Sequence, residues 1–234
     1  IMALPVTELP LFDVDVLSVD KKVKFRPFKV KEEKLLVLGS QSKDFTDLVK
    51  AIQQVITNCS FGKLSGDELP IFDLQNIFLK LRSASISPIF QVNLTCGFCG
   101  NVSLQDIDLD KVEIKTSEDH VNPVSINDSV SIEFNYPSAE DLATLAKATE
   151  EAPIWDVAQR CIRSIHTTDA TFEAEDLSDE EKAEYIENLT FEEFNNVKEF
   201  FNTMPVMEND ISLECEKCGE TNTIYMNGYL DFFD

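Results

Sequence analysis

The 234-residue sequence predicts an α+β fold, and three observations carry that reading. Apolar residues recur at helical spacing over 44–85 and again over 138–203. They alternate with polar residues over 14–25, 86–136 and 211–230, the period of a strand with one buried face. A Cys-x-x-Cys-Gly pattern stands twice, at 96–100 and 215–219, each time inside an alternating stretch.

The elements follow in order. Val14, Val16 and Val19 precede a turn-like Asp20-Lys21-Lys22, and Val23 and Phe25 then alternate with Lys24 and Arg26, as in a β-hairpin. Pro27 stops that hairpin or confines it to a sheet edge. Residues 30–40 are good helix formers, with Gly39 as the expected stop. Over 44–62, Phe45, Leu48, Val49, Ile52, Val55, Ile56 and Cys59 share a helical face, and Gly62 ends it. Pro70 suits the first turn of a third helix over 70–85, whose inner face is Phe72, Ile77, Phe78 and Leu81.

Over 86–136 the period falls to two, and four short strands fit: two flanking the first cysteine pair, then 110–116 and 128–136. Helical signals return at 138. Ser138 with Asp141, Ser178 with Glu181 and Thr190 with Glu193 have capping-box spacing. A further helix is expected over 154–166, followed by an exposed polar loop to 178. The segments are therefore a β-hairpin with three helices (1–85), a β region with the first cysteine knuckle (86–136), a helical insertion (137–205), and a second knuckle with the C-terminal tail (206–234) that packs with 86–136.

Two thiolates spaced Cys-x-x-Cys reach one metal ion from a single tight turn, and a following glycine lets the backbone turn left-handed. Cys96, Cys99, Cys215 and Cys218, flanked by alternating strands, thus predict a split zinc ribbon: two hairpins holding one Zn2+ through four sulfurs. The 115 residues between Cys99 and Cys215 far exceed the ~15–20 of a compact ribbon. Buried thiols without metal and a redox dithiol are the competing readings, though a redox pair belongs at the start of a helix. Four sulfurs leave no open coordination position, so the expected site is structural, and the donor set favours zinc over iron. Cys59 and Cys161 lie within apolar helical patterns and read as small core residues. His166 reads as a residue near a helix end and His120 as exposed.

The net charge of −23 repels phosphate and argues against general nucleic-acid binding. The knuckle stretch 94–105 has no basic residue, and 213–223 has one lysine against three glutamates. No run approaches the ~20 apolar residues of a membrane span, and no signal peptide is evident, so a soluble chain made in a cytoplasm is expected. No phosphate loop, dinucleotide fingerprint, His-Glu-x-x-His or Gly-x-Ser-x-Gly is found, which predicts a protein that is not an enzyme and has no small-molecule substrate.

Residues 21–39, KKVKFRPFKVKEEKLLVLG, together with 51–85, 200–205 and both cysteine pairs, resemble the baseplate hub subunit family of T4-like contractile-tailed bacteriophages. The resemblance implies a non-enzymatic structural or assembly component of a tail baseplate hub, whose partners are other hub proteins. It places the chain in the host cytoplasm during assembly, or in the virion tail baseplate. A transient hub assembly chaperone is the alternative within that class. A zinc-ribbon adaptor in transcription or nucleic-acid binding is the alternative outside it. Lys21, Lys22, Lys24, Arg26, Lys29, Lys31 and Lys34 form a basic island in an acidic chain. Lys24, Phe25, Arg26 and Phe28 are its candidate partner-binding residues, to be tested by charge reversal at Lys24 and Arg26.

Overall fold

A computed structural model describes residues 9–42, 44–141, 154–207 and 210–225. In chain order the elements are β1 (Phe12–Val16), β2 (Lys21–Phe25), α1 (Val30–Ser40), α2 (Phe45–Cys59), α3 (Ile71–Ser85), β3 (Ile89–Thr95), β4 (Val102–Asp108) and β5 (Ile114–Lys115). There follow β6 (Val124–Asn127), β7 (Val130–Phe134), α4 (Ile154–Cys161), β8 (Ile162–Thr167), β9 (Thr171–Glu173), α5 (Asp179–Glu187) and α6 (Phe191–Thr203). The chain closes with β10 (Val206–Met207), β11 (Asp210–Glu214) and β12 (Thr221–Tyr225). Two compact units result: 1–114 with 207–234, and 115–206. The boundaries drawn from the sequence at 85 and 136 fall inside these units.

In the first unit, β1 and β2 pair antiparallel from Phe12↔Phe25 to Val16↔Lys21. The turn is tighter than the sequence suggested. A 3-10 turn spans Leu17–Val19 and Asp20 takes a left-handed φ of 47°, so Lys21 and Lys22 already belong to β2. Val14, Val16 and Phe25 point into the core. The turn is fastened by a residue with no motif around it. Asp73, fully buried in the first turn of α3, accepts hydrogen bonds from the Leu17 amide at 3.0 Å and the Ser18 amide at 2.9 Å. Two otherwise unpaired donors and one buried carboxylate are thereby satisfied together.

Helices α2 and α3 take their expected faces: Ile52, Val55, Ile56, Phe72, Ile77, Phe78 and Leu81 are all buried. Gly39 does not end α1. It lies within the helix, buried, where a Cβ would stand 3.0 Å from the Ala51 methyl and 3.1 Å from the Leu48 Cα. It is there to let α1 approach α2. The base of the β3–β4 hairpin rests on α3 through Leu79, Ile107, Leu109, Val112 and Met207. Lys80 reinforces the join, donating to the carbonyls of Asp110 at 3.0 Å and Val112 at 3.4 Å.

The second unit is not the purely helical insertion expected. Its centre is a four-stranded antiparallel sheet in the order β6-β7-β8-β9. Ile126, Ile132, Phe134, Ile162 and Ile165 pack with Val157 and Cys161 of α4, Ile186 of α5, and Val197 and Phe200 of α6. The segment 162–166 is a strand rather than the end of a helix, and its misleading pattern has a physical cause. Ile132 pairs with Ile165 and Phe134 with Ile162, with a register shift between Glu133 and Phe134. The bulge turns Arg163 outward and lets two isoleucines three apart face one core, which imitates helical spacing.

Other expectations also change. The polar stretch after 167 carries β9, paired to β8, and a 3-10 turn. In 110–116 the strand shrinks to β5, while β6, absent from the sequence reading, precedes β7. His120 is half-buried rather than exposed. Its ring hydrogen-bonds Thr203 Oγ1 at 3.0 Å and Tyr136 Oη at 2.9 Å, lies against Phe200, and burial lowers its pKa. His166 stands on β8, within 2.9 Å of Ser164 Oγ. The Ser178–Glu181 and Thr190–Glu193 boxes form as read. Ser138 and Asp141 also cap one another, but the rest of that expected helix lies outside the described residues.

Arg26 and Glu32 join the hairpin to α1 and α2. Glu32 is fully buried, and Arg26 Nη2 meets its Oε1 at 2.9 Å while the Lys29 amide donates to Oε2, also at 2.9 Å. Burial alone pushes the Glu32 carboxyl up; Arg26, the Lys29 amide and Lys31 outweigh it and hold it below its ordinary value of 4.5. Removing one partner strands a buried charge, so Arg26→Met lowers unfolding free energy by about 3–5 kcal/mol in urea melts, and adding Glu32→Leu recovers most of the loss. A carboxyl whose folded pKa is depressed stabilises above its unfolded pKa and loses that contribution as pH falls through the folded value. Acid titration of stability below pH 4.5 is therefore shallower in the double variant than in the parent.

Candidate metal centre

Two hairpin tips build the site, both within the first unit. Strands β3 and β4 pair from Ile89↔Asp108 to Thr95↔Val102, and β11 and β12 from Asp210↔Tyr225 to Glu214↔Thr221. Each tip is the same knuckle. The Cys96 amide donates to the Asn101 carbonyl at 2.8 Å, and the Gly100 amide to the Cys96 carbonyl at 2.9 Å. The second tip repeats both bonds: Cys215 to Glu220 at 2.9 Å and Gly219 to Cys215 at 2.8 Å. Gly100 and Gly219 have φ of +67° and +73°, the left-handed conformation that a side chain would strain.

The two knuckles bring all four cysteine sulfurs within 4.8 Å of one another. The Sγ atoms of Cys96 and Cys218 are 3.8 Å apart, as are those of Cys99 and Cys215. A disulfide needs about 2.05 Å. A tetrahedron of sulfurs bound at about 2.3 Å has edges of about 3.8 Å, so the spacing fits four ligands around one ion. Cys96 and Cys215 are buried, and Cys99 and Cys218 face outward.

The electrostatics agree with that geometry. The Cys99 amide foremost, with those of Phe98 and Asn222, prevails over desolvation and holds the Cys96 thiol down to about 6. The Cys218 and Lys217 amides lower Cys215 in the same way. At Cys218 the Glu220 amide favours the thiolate, but desolvation and the sulfurs of Cys99, Cys215 and Cys96 outweigh it and push the thiol up to about 12. Amides thus prepare thiolates, while the crowding of four sulfurs resists the last negative charge. A divalent cation at the centre relieves that repulsion.

One residue of the site carries no sequence signal. Asn222, buried on β12, accepts from the Gly97 amide at 3.0 Å and donates toward Cys96 Sγ at 3.5 Å. It links the second hairpin directly to the first knuckle, as outer partners of metal ligands do. An Asn in an alternating strand reads as a solvent-facing polar residue, so only the pairing of the two hairpins exposes its role.

The basic island is placed differently from a free docking face. Phe25 is 0% exposed and stacks on Phe12 with ring centroids 6.2 Å apart. Arg26 is committed to Glu32, the Pro27 carbonyl and the end of α2. Charge reversal at Arg26 would therefore disrupt the fold instead of testing a contact. Lys22 and Lys24 do face outward, beside Asp15 and Asp13, and Phe28 is half-buried.

Among the described residues, no helix is long and apolar enough to cross a membrane. No match is found among curated proteins or among solved structures. A family model described as "T4 bacteriophage base plate protein" matches residues 10–234, nearly the whole chain. The N-terminal hairpin, the helices, both cysteine knuckles and the unit between them all lie within that match, and the chain belongs to the T4 bacteriophage base plate protein family.

Proposed function

We propose that the chain is a non-enzymatic structural or assembly component of the phage tail baseplate hub, working through protein contacts. In this reading Cys96, Cys99, Cys215 and Cys218 hold one structural Zn2+ and close a split zinc ribbon. The observation that carries it is the near-tetrahedral gathering of four sulfurs from two matching knuckles 115 residues apart, in a chain of the baseplate family. Zinc bound to four thiolates has no position for substrate or water, so its work is to hold the two hairpins together. The partners are other hub proteins, met in the host cytoplasm during assembly or in the virion tail baseplate. The surface of the knuckles favours protein over nucleic acid: Phe98 is 68% exposed at the first tip, and Glu214, Glu216 and Glu220 surround Lys217 at the second.

Elemental mass spectrometry on the purified chain should find one zinc per chain, lost in a Cys96→Ser, Cys215→Ser double variant together with thermal stability. A folded, cooperative, metal-free parent would overturn the ribbon. Thiol titration should show four slowly reacting cysteines that become fast when a chelator is added. Asn222→Ala should keep the stoichiometry but weaken zinc retention against a competing chelator by about 10- to 100-fold.

The hub contact is tested at the outward face of the basic island. Lys22→Gln with Lys24→Gln removes both charges without setting carboxylates opposite Asp15 and Asp13, and leaves the melting behaviour near that of the parent, since both side chains are exposed. Loss of co-purification with hub proteins is the expected result, and undiminished co-purification sinks docking through this face.

A further inference from the structure

The second unit carries a groove that its own folding does not require. Trp155 at the start of α4, Ile186 in the last turn of α5, Leu189 in the link, and Phe191 and Phe194 of α6 line an opening of about 460 Å3. Ile186 is buried and forms part of the core. Trp155 and Phe191 are not: they are 53% and 77% exposed. Phe191 is the first residue of α6, directly after the Thr190 cap. The capping box fixes the helix start through Thr190 and Glu193, so any residue would serve at 191. Two large exposed aromatic rings lining one groove are costly for a monomer and frequent at protein interfaces.

Charge says what kind of partner fits. Residues 115–206 hold 21 Asp and Glu against 6 Lys and Arg, so most of the chain's excess negative charge is in this unit. Among the described residues, the charged side chain lining the groove is Glu187. The rings already attract a cation, because the Lys198 ammonium lies 5.2 Å from the centres of both Phe191 and Phe194. We infer that this groove takes a cationic amphipathic segment of a protein partner, with an apolar or aromatic anchor between Trp155 and Phe191 and Lys or Arg residues over the acidic surround. Acidic charge steers the encounter and the aromatic pair supplies the holding energy. The inference rests on the reading of the chain as a component that works through protein contacts, but it concerns a unit that contains none of the four clustered cysteines.

Trp155 is the only tryptophan, so its fluorescence reports on the groove directly. The full chain is titrated with a synthetic peptide carrying lysines on one helical face and leucine and phenylalanine on the other. A second peptide has the same composition with the apolar residues scattered. In the free chain, Trp155 should emit as a partly exposed indole, quenched by acrylamide. The amphipathic peptide should shift the emission to the blue and protect it, and the scattered peptide should do neither. Phe191→Ser, at a position open to solvent, should weaken the shift by about tenfold in affinity with the fold and metal content unchanged.

Absence of a shift, or equal shifts from both peptides, overturns the proposal. So does a free-chain Trp155 that is already blue and protected. If that protection is independent of concentration, another stretch of this chain fills the groove; if it grows with concentration, a second copy does. None of these outcomes depends on the zinc measurement or on the Lys22 and Lys24 variants, so this inference can fail while the baseplate reading stands.

Discussion

The first unit depends on one meeting point, the place where two distant pieces of chain bring their cysteine sulfurs together. The chain leaves this unit at 114 and returns at 207. What returns is short: a two-stranded hairpin, which is marginal by itself in water. Among the described residues, ties of the returning chain to the rest include the pairing of β10 with β5, Met207 in the cluster with Leu79 and Ile107, Asn222 on the first knuckle, and the four sulfurs. Closing a loop of this length costs only about 0.6 kcal/mol more for each doubling of its size. The apparent free energy of a four-thiolate zinc site, about 10–16 kcal/mol in small zinc domains, is far larger. With the proposed zinc in place, the 92 residues between the crossings can form a folding unit of their own without loosening the join.

The rest of the first unit is held by buried polar anchors laid over an ordinary apolar core. Asp73 takes two amides of the hairpin turn, and Glu32 takes Arg26 and the amide that opens α1. Both carboxylates are fully buried and both fix how the hairpin sits on the helices. Such pairs add little net stability over an apolar replacement but are costly to break singly, so their main effect is on register and orientation. The lysine-rich strand β2 is therefore two-sided in function. Its inward residues belong to this internal frame, and its outward lysines remain at the surface.

What the sequence disclosed follows from how local each signal is. Helices α2 and α3 were legible because their faces are periodic, with Pro70 marking the start of α3, and α5 and α6 because capping boxes mark theirs. The cysteine knuckles were legible because ligand spacing and glycine placement are fixed by the turn itself. Other features were not. The strand 162–167 hides behind a bulge that spaces Ile162 and Ile165 like helical neighbours. Gly39 looks like a helix stop, yet close approach of another helix demands it. Asp73, Asn222 and the true placement of Arg26 depend on partners 55, 125 and 6 residues away, which no local pattern encodes.

The acidity of the chain also resolves once it is mapped onto the fold. Some carboxylates of the second unit have local work: Glu181 and Glu193 complete capping boxes, and Glu133 meets Arg163. Acids in the first turns of α5 and α6 favour the helix dipole. These roles absorb a minority of the 21, and the six basic residues cannot neutralise the remainder. Self-repulsion of that surplus opposes compactness, so the fold gains nothing from it. A surface of one sign does affect the approach of a partner, by raising encounter rates with cations and repelling phosphate. The exposed Trp155 and Phe191 lie in this same unit. Long-range attraction and short-range aromatic contact are the two parts of a protein-binding surface, and the second unit supplies both.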